Sequence, residues 1–454
     1  MASTYLQLSA SDPQGSNTTG TFSFWVKRAK LGSHQVIHQH YYSSTYESQI
    51  KFRDTDVFEF HTYSNGWSNL YKSNRVFRDT NAWYHFVIAI NTTLSTAGDR
   101  IKVWVNNERI TSWETETQPS QNSSVMIDGG LGYYTRIGST NVPDNHFDGS
   151  LSHFHYINGT AYDPTSFGET DSTTGEWKIK TDVTGVTYGS KGWFVLENGN
   201  SVTDQSPNTN NFTVGGGTLT KTEDNPSNVF ATLNPLAGNT DATFSHGNTK
   251  VTFGTASSRS IVSTTLGAIN GRYYWEMKVA GAVYANNITA GVGTKYDYDA
   301  SSNAVGSYAE TWGITPWNGQ VMNNGSSVGG TWATFASGDI MQFAINLVEE
   351  QSGLNKFYIG KNGTWLNGAD PSNHSSTTGV VGITKPENGS SGFVFPLFGD
   401  GGSSATPAPE VNFGNGYFGT TAVSSAGTNA SGNGIFEYDV PTGFTALSTK
   451  GLNL

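Results

Sequence analysis

Glycine and asparagine interrupt the aromatic and β-branched segments of this chain every eight to twelve residues, a spacing that excludes long helices. Glycine supplies 54 of the 454 residues, and aromatic side chains supply 13% of the chain. The segments between turns therefore carry enough apolar surface to pack against one another. The pattern predicts an all-β fold built from short strands, and the length predicts two or three domains.

Residues 1–168 form a regular series of predicted strands. In the segment TFSFWVKRA, alternation places Phe22, Phe24 and Val26 on one face and Trp25 on the other. The segment RIKVWVNNERI is typical of a hairpin, with two asparagines at the turn between its strands. Strands this regular need two packed layers, so a β-sandwich or jelly roll is expected.

The rest of the chain is predicted to contain a connector, a second domain and an extension. Residues 169–240 are rich in Gly, Asn and Thr, yet their aromatic side chains favour an ordered connector that packs on a neighbour. Residues 241–419 form a second series of strands, and residues 420–454 form a C-terminal extension. We therefore expect two sandwiches joined by an ordered connector.

Both strand series resemble known families. The ordered segments TFSFWVKR, WYHFVIAIN, IKVWVNNERI, RIGS and FDGSLSHFHYINGTAYDP resemble the LamG-like domain of the concanavalin A-like lectin/glucanase family. The segments GRYYWE, GVG, WGI, GDIM, FYIGKNG and VNFG resemble a SPRY domain. These resemblances imply two concanavalin A-like and SPRY-type β-sandwiches that recognise their ligands by binding.

The combination of the two domains resembles virion-associated proteins of bacteriophages that infect marine bacteria. It implies a structural protein on the virion exterior, either a compact capsid decoration or a tail appendage, synthesised in the cytoplasm of the bacterial host. Such a protein would bind host-surface carbohydrate or neighbouring virion proteins, in many copies or as a homo-oligomer. A receptor-binding component of a tail fibre or tailspike and a glycan hydrolase are the alternatives.

Charge and hydropathy exclude other partners. The formal net charge of −11, without a Lys/Arg cluster, argues against nucleic acid. No apolar run approaches the ~20 residues of a membrane helix, so no membrane insertion is expected.

Aromatic side chains in polar segments are the predicted ligand contacts, because rings stack on sugar faces and amides bond hydroxyls. The segments HYYSSTYES and YSNGW supply them in the first half, and Tyr63 stands at the start of the second of these. The predicted contact residues are Tyr41, Tyr42, Tyr46, Trp67, Tyr296, Tyr298 and Trp317.

A carboxylate pair for glycoside hydrolysis is sought in the segment DTDVFE. It resembles the E-x-D-x-x-E signature of jelly-roll glucanases, with Asp54 in the first position. Strand alternation places Asp54 and Asp56 together and Glu59 opposite, so a bulge would be needed to assemble the pair. We expect three solvated acids on an exposed hairpin and no enzymatic activity.

Metal ligands are sought among histidines and loop acids. The pairs His38/His40 and His153/His155 would each share a strand face, but no third ligand is placed by the sequence. No cofactor is therefore expected. Calcium in the LamG-like loops stays open, and the acids available for it are Asp128, Asp144 and Asp148.

Overall fold

The computed structural model confirms the all-β fold. It describes residues 3–9, 16–64, 67–125, 127, 134–237, 242–254, 260–280, 288–295, 298, 304–315, 318–348, 355–384, 392–401 and 406–453. Helix within these residues is confined to short 3-10 turns, at Ala97–Asp99, Pro164–Ser166, Leu366–Gly368 and Gly451–Asn453. In this part of the chain, no helix combines the length and the apolar character needed to cross a membrane.

The chain packs as two units. The first comprises Met1–Lys221 with Asn225–Ser227, and the second comprises Thr222–Asp224 with Asn228–Leu454. The strands of the first unit are β1 Tyr5–Ser9, β2 Thr19–Arg28, β3 Gln35–Ser43, β4 Tyr46–Phe52, β5 Val57–Ser64, β6 Trp67–Val76, β7 Trp83–Asn91, β8 Ile101–Val105, β9 Glu108–Arg109, β10 Trp113–Glu116, β11 Tyr134–Ile137, β12 Gly149–Asn158, β13 Gly168–Thr170, β14 Trp177–Ile179, β15 Trp193–Val195 and β16 Thr213–Gly216.

Two sheets enclose the core of the first unit. The eight-stranded sheet has the order β10-β6-β5-β4-β3-β11-β1-β16, and the six-stranded sheet has the order β15-β12-β2-β7-β8-β9. Phe22, Phe24 and Val26 face this core, which confirms the predicted alternation. The predicted hairpin is also confirmed, because Asn106 and Asn107 adopt φ of 48° and 67° between β8 and β9, the left-handed conformation that such a turn requires.

Residues that follow β12 complete both sheets of the first unit. Strand β15 pairs with β12 in the six-stranded sheet, and β16 pairs with β1 in the eight-stranded sheet. A separate cluster on the outer side of the six-stranded sheet contains Phe167, Tyr188 and Phe194. The outer surface of that sheet is therefore covered by the chain itself.

The strands of the second unit are β17 Ala242–Ser245, β18 Lys250–Phe253, β19 Ile261–Ser263, β20 Arg272–Lys278, β21 Ile288–Gly293, β22 Thr311–Thr315, β23 Gln320–Asn323, β24 Ser326–Thr331, β25 Ile340–Asn346, β26 Asn355–Lys361, β27 Thr364–Trp365, β28 Val381–Ile383, β29 Phe395–Asp400, β30 Glu410–Asn412, β31 Tyr417–Phe418, β32 Thr421–Ala422 and β33 Thr445–Ala446. One sheet has the order β17-β18-β30-β20-β25-β26-β27, with β28 beside β26 and β33 beside β20. The other has the order β19-β29-β21-β22-β23-β24, and a core cluster joins the two sheets.

The second unit also covers its own sheets. On the six-stranded sheet, a side chain in place of Gly313 would collide with Val305, because the segment that holds Val305 lies directly on the strand. On the nine-stranded sheet, Phe436 and Phe444 of the C-terminal segment pack against Tyr274 in a further cluster. The outer surface of the eight-stranded sheet in the first unit carries tyrosines and polar side chains.

Candidate binding face

The outer face of the eight-stranded sheet carries a row of rings around one carboxylate. Tyr134 on β11 lies opposite Tyr41 on β3, Tyr41 lies opposite Glu47 on β4, and Glu47 lies opposite Tyr63 on β5. Residues paired in this way across antiparallel strands point to the same side of the sheet. We call this surface the polar face, and it includes Tyr134, Gln39, Tyr41, Glu47, Gln49, Lys51, Glu59, His61 and Tyr63.

A second row of amides fixes the position of Glu47. The Nε2 atoms of Gln39 and Gln49 donate hydrogen bonds to Oε2 of Glu47 at 2.8 and 3.2 Å. The Oε1 atom of Gln39 accepts from the backbone N–H of Asn141, and Oε1 of Gln49 accepts from Nζ of Lys51 at 3.1 Å. Because Oε1 of each glutamine accepts a hydrogen bond from another group, Nε2 of each glutamine is directed to Glu47.

His61 links two carboxylates on this face. Its Nε2 atom lies 3.3 Å from Oε1 of Glu47, and its Nδ1 atom lies 3.3 Å from Oε1 of Glu59. Lys51 and Arg53 approach Glu59 at 3.0 and 3.2 Å. Glu59 thus contacts two cationic side chains, and Glu47 contacts His61, which is a cation when protonated.

The electrostatics of the polar face keep both carboxyl groups ionised. Burial alone would raise the pKa of Glu59, but His61, Lys51 and Arg53 outweigh burial and lower that pKa to about 2. Burial has the same effect on Glu47, and hydrogen bonds from His61 and the neighbouring amides again lower its pKa. Burial would lower the pKa of His61, whereas its two carboxylate partners raise it.

These shifts bear on what the face can do chemically. Glycoside hydrolysis needs one protonated carboxyl as general acid beside an ionised one. Glu47 and Glu59 both have lowered pKa values, whereas a general acid needs a raised pKa. An ionised carboxylate among amide N–H groups and tyrosine rings is suited to hydrogen bonding of a ligand.

The structure divides the aromatic residues that the sequence predicted as contacts. Tyr41 lies on the polar face, together with Tyr63. Tyr46 lies on the same side of β4 as the buried residues of that strand. Its ring centroid is 6.3 Å from that of Tyr42, with an interplanar angle of 68°. This pair lies at the end of the hairpin, where Tyr42 is 51% exposed. Trp67 begins β6, and its side chain lies outside the described part of the structure.

Of the three contacts predicted in the second unit, Tyr298 lies among the described residues. Tyr298 is 5% exposed, and its ring packs on Tyr308, with the centroids 5.7 Å apart. Its hydroxyl accepts a hydrogen bond from the backbone N–H of Lys295 at 3.2 Å. This ring belongs to the packing of its own loop and differs from the exposed ring that the sequence suggested. Tyr296 and Trp317 lie outside the described residues.

The expectation of three solvated acids is wrong for two of them. Asp56 adopts φ of 65° and is buried, where its carboxylate pairs with Arg28 and Arg78 at 3.0 Å each. Glu59 is buried on the polar face. Asp54 alone is exposed, and its carboxylate pairs with His34 at 3.1 Å. A tight turn between β4 and β5 directs Asp56 toward a buried guanidinium, which alternation could not reveal.

The predicted histidine pairs are packing residues. His38 and His40 share a face, as expected, but it is the face turned toward the core, where the ring of His38 lies 4.9 Å from that of Phe22. Burial lowers the pKa of His38 to about 3 and that of His40 to about 4. His155 packs on Phe194, with a centroid distance of 3.8 Å.

No cluster of three acidic or histidine ligands suited to a metal ion occurs in the described residues. Of the acids considered for calcium, Asp128 lies outside those residues. The Asp144 carboxylate accepts a hydrogen bond from the backbone N–H of Asn145 at 2.7 Å, and Asp148 also has an interaction partner within the protein.

A serine–histidine pair on the six-stranded sheet has the wrong tautomer for catalysis. Ser23 Oγ lies 2.9 Å from Nε2 of His85, and Nδ1 of His85 accepts the indole N–H of Trp177 at 2.9 Å. Because Nδ1 is an acceptor, the proton of the neutral ring sits on Nε2 and is donated to the serine. His85 therefore cannot withdraw a proton from Ser23.

Glu47, Gln49 and His61 were not among the residues predicted from the sequence. One pattern could have found them, because polar residues alternate with apolar residues in ESQIKF and again in VFEFHTY. The antiparallel hairpin that joins these segments brings the polar sets onto one face. Knowing which polar residues meet still required the register, in which Gln49 lies opposite His61.

Comparison with known proteins supports the assignment of the first unit. Residues 1–166 match the family model described as the concanavalin A-like lectin/glucanases superfamily. This match supports the LamG-like resemblance of that segment, and folds of this type typically serve binding. Among curated proteins, none matches the chain.

Solved structures similar to the chain include SPRY domains and a pentraxin. The SPRY domain of human HERC1 is 13% identical, covers 39% of this chain and 96% of its own, and has a TM-score of 0.29. A second human SPRY domain is 14% identical, covers 38% of this chain and 96% of its own, with a TM-score of 0.28. A heptameric SAP-like pentraxin from Limulus polyphemus is 12% identical, covers 35% of this chain and 71% of its own, with a TM-score of 0.27. The SPRY interpretation of the second unit rests on its sequence motifs.

Proposed function

We propose that this chain is a structural protein of a bacteriophage virion exterior, a compact capsid decoration or tail appendage, that works by binding and not by catalysis. Its LamG-like domain would contact host-surface glycans or neighbouring virion proteins through the polar face, and a SPRY-type domain would follow. The observation that supports this best is the row Tyr134, Tyr41, Glu47 and Tyr63, where rings and a fixed carboxylate lie side by side.

Weak charge and compact domains support the same proposal. Charged residues are 13% of the chain, so contact would depend on hydroxyl, amide and aromatic groups. Individually weak sites displayed in many copies gain avidity, about 10²–10⁴-fold over one site. A protein of this kind, synthesised in the bacterial cytoplasm, would act on the assembled particle.

Two experiments test this function. Mass spectrometry of purified particles should detect the chain, and its absence from them would remove the virion role. Particles that carry Tyr41→Ala with Tyr63→Ala should attach to host cells less well than wild type, with unchanged incorporation. Particles with Tyr42→Ala, altered at the hairpin end, should attach normally.

The opposite pattern among these variants would place the contact elsewhere. If Tyr42→Ala alone weakens attachment, the hairpin end makes the contact and the polar face does not. If all three substitutions leave both attachment and incorporation unchanged while the fold stays intact, binding through this part of the LamG-like domain is refuted.

A further inference from the structure

The hydrogen bonds of the described residues leave one acceptor position of Glu47 for a ligand. A carboxylate has about four acceptor positions, and three positions on Glu47 are taken by Nε2 of Gln39, Gln49 and His61. Gln49 is half-buried, and its amide directs one of two N–H groups to Glu47, while no described residue accepts the other, which a ligand can use. An acceptor beside a donor matches a hydroxyl group, which donates one hydrogen bond and accepts others.

Tyrosine rings flank this hydrogen-bonding centre on both sides. Tyr41 and Tyr63 lie opposite Glu47 on the two neighbouring strands, and both are half-buried. Because adjacent strands are about 4.8 Å apart, the two tyrosines stand on backbones roughly 10 Å apart. A saccharide chain that crosses the strands would place C–H faces on the rings and a hydroxyl at the carboxylate between them.

Charge discriminates between classes of saccharide. The free acceptor belongs to an ionised carboxylate, so a uronic acid or a sulfated sugar would bring a like charge against Glu47. The described cations nearby are engaged, since Lys51 and Arg53 pair with Glu59 and His61 bridges Glu47 and Glu59. Arg136, opposite Gln39 on β11, bonds Gln7 and the carbonyl groups of Thr140 and Asn141. A neutral saccharide avoids this repulsion.

His61 bonds Glu47 and Glu59 at the same time only as a cation. Carboxylates are acceptors, and both ring nitrogens of His61 face one, so both must carry protons to make the two hydrogen bonds. The charged and titratable groups around the ring are Glu47 and Lys51 on β4, Glu59 and Tyr63 on β5, Lys72 opposite Glu59 on β6, and Arg53 in the turn.

We propose that the polar face binds a neutral saccharide at a subsite centred on Glu47, with Tyr41 and Tyr63 as stacking platforms, Gln49 as donor and protonated His61 as the positioning residue. This inference rests on the proposed function, and it assigns the class of ligand and the protonation state that binding requires.

The test measures binding of the purified full-length protein to defined oligosaccharides. The probes are neutral glucose, galactose and mannose oligomers and the same backbones carrying uronic acid or sulfate groups. We expect binding to neutral probes and none to their anionic counterparts. Glu47→Gln should weaken binding about tenfold to a hundredfold, because a hydrogen bond to a charged acceptor is lost. Glu114→Gln removes an exposed carboxylate that pairs with Lys72 and should bind like wild type.

The pH profile tests the role of His61. Affinity of the wild-type protein should fall as pH rises from 6 to 9, since deprotonation breaks one of the two hydrogen bonds. His61→Gln should bind more weakly at pH 6 and lose this pH dependence. A wild-type affinity that stays constant across the range would overturn the positioning role.

The outcomes separate this inference from the function beneath it. Preference for anionic probes, or unchanged binding by folded Glu47→Gln, would overturn the subsite. If Glu47→Gln does not fold, Tyr63→Ala should lose binding and Tyr63→Phe should keep it, and equal binding by both would overturn the proposal. If the protein binds no probe while particle attachment still depends on Tyr41 and Tyr63, a saccharide ligand is refuted and the proposed virion function stands.

Discussion

Asp56→Asn should destabilise the first unit strongly. The Asp56 carboxylate accepts hydrogen bonds from the backbone N–H of Gly32 at 2.8 Å and from Arg28 and Arg78 at 3.0 Å each. The Arg28 guanidinium is fully buried, lies over the ring of Phe52 at 4.4 Å, and retains a buried charge when its partner is neutralised. Removing one partner of a buried ion pair costs about 3–5 kcal/mol.

Urea unfolding followed by hydrogen–deuterium exchange and mass spectrometry measures this loss. With a denaturant slope of ~2 kcal/mol per molar, a loss of ~4 kcal/mol moves the midpoint of first-unit peptides down by about 2 M. Peptides of the second unit should keep their midpoint. Asp54→Asn is the matched control, because Asp54 is exposed, and it should change stability by less than about 0.5 kcal/mol. Equal midpoints for the two variants would refute the argument.

The remaining predictions concern pH and the C-terminal segment. Burial lowers the pKa of His38 and of His85 to about 3, whereas a histidine in the unfolded chain has a pKa of ~6.5. Each buried neutral ring therefore lowers the stability of the first unit by up to about 1.4 kcal/mol per pH unit as pH falls below ~6.5. Burial raises the pKa of Glu276 to about 7, so this group favours the folded second unit below its unfolded pKa of ~4.3 and loses that contribution as pH rises through 7. Peptide-resolved exchange between pH 7.5 and 4.5 should therefore show the first unit weakening and the second not, and parallel changes would contradict the assignment. Glu276→Gln should increase exchange at Glu437 and Tyr438, whose backbone N–H groups donate to this carboxylate at 2.9 and 2.8 Å, with a loss of about 1–3 kcal/mol, whereas exchange unchanged from wild type would show that the carboxylate does not hold the segment.

Local rules predicted much of the fold because its turns and strands are locally encoded. Asparagine tolerates the positive φ that the β8–β9 turn needs, and alternation correctly separated Phe22, Phe24 and Val26 from Trp25. The same rules did not predict the burial of Asp56, because the contact responsible is long-range. Its left-handed turn is stabilised by Arg28, which lies 28 residues earlier in the chain. No local pattern shows that these two residues meet.

The histidines show why alternation alone could not locate the candidate site. His38 and His61 each lie on strands with alternating patterns, and period two correctly predicted that His38 and His40 share a face. Alternation does not state which face meets the core, and a shift of one residue exchanges the two faces completely. In β3 an irregularity between Val36 and His38 sets this choice and turns His38 inward, where its pKa falls. His61 points outward between two carboxylates, where its pKa rises. The same residue type is thus a neutral core ring at one position and the partner of two carboxylates at the other, and only the assembled register decides between them.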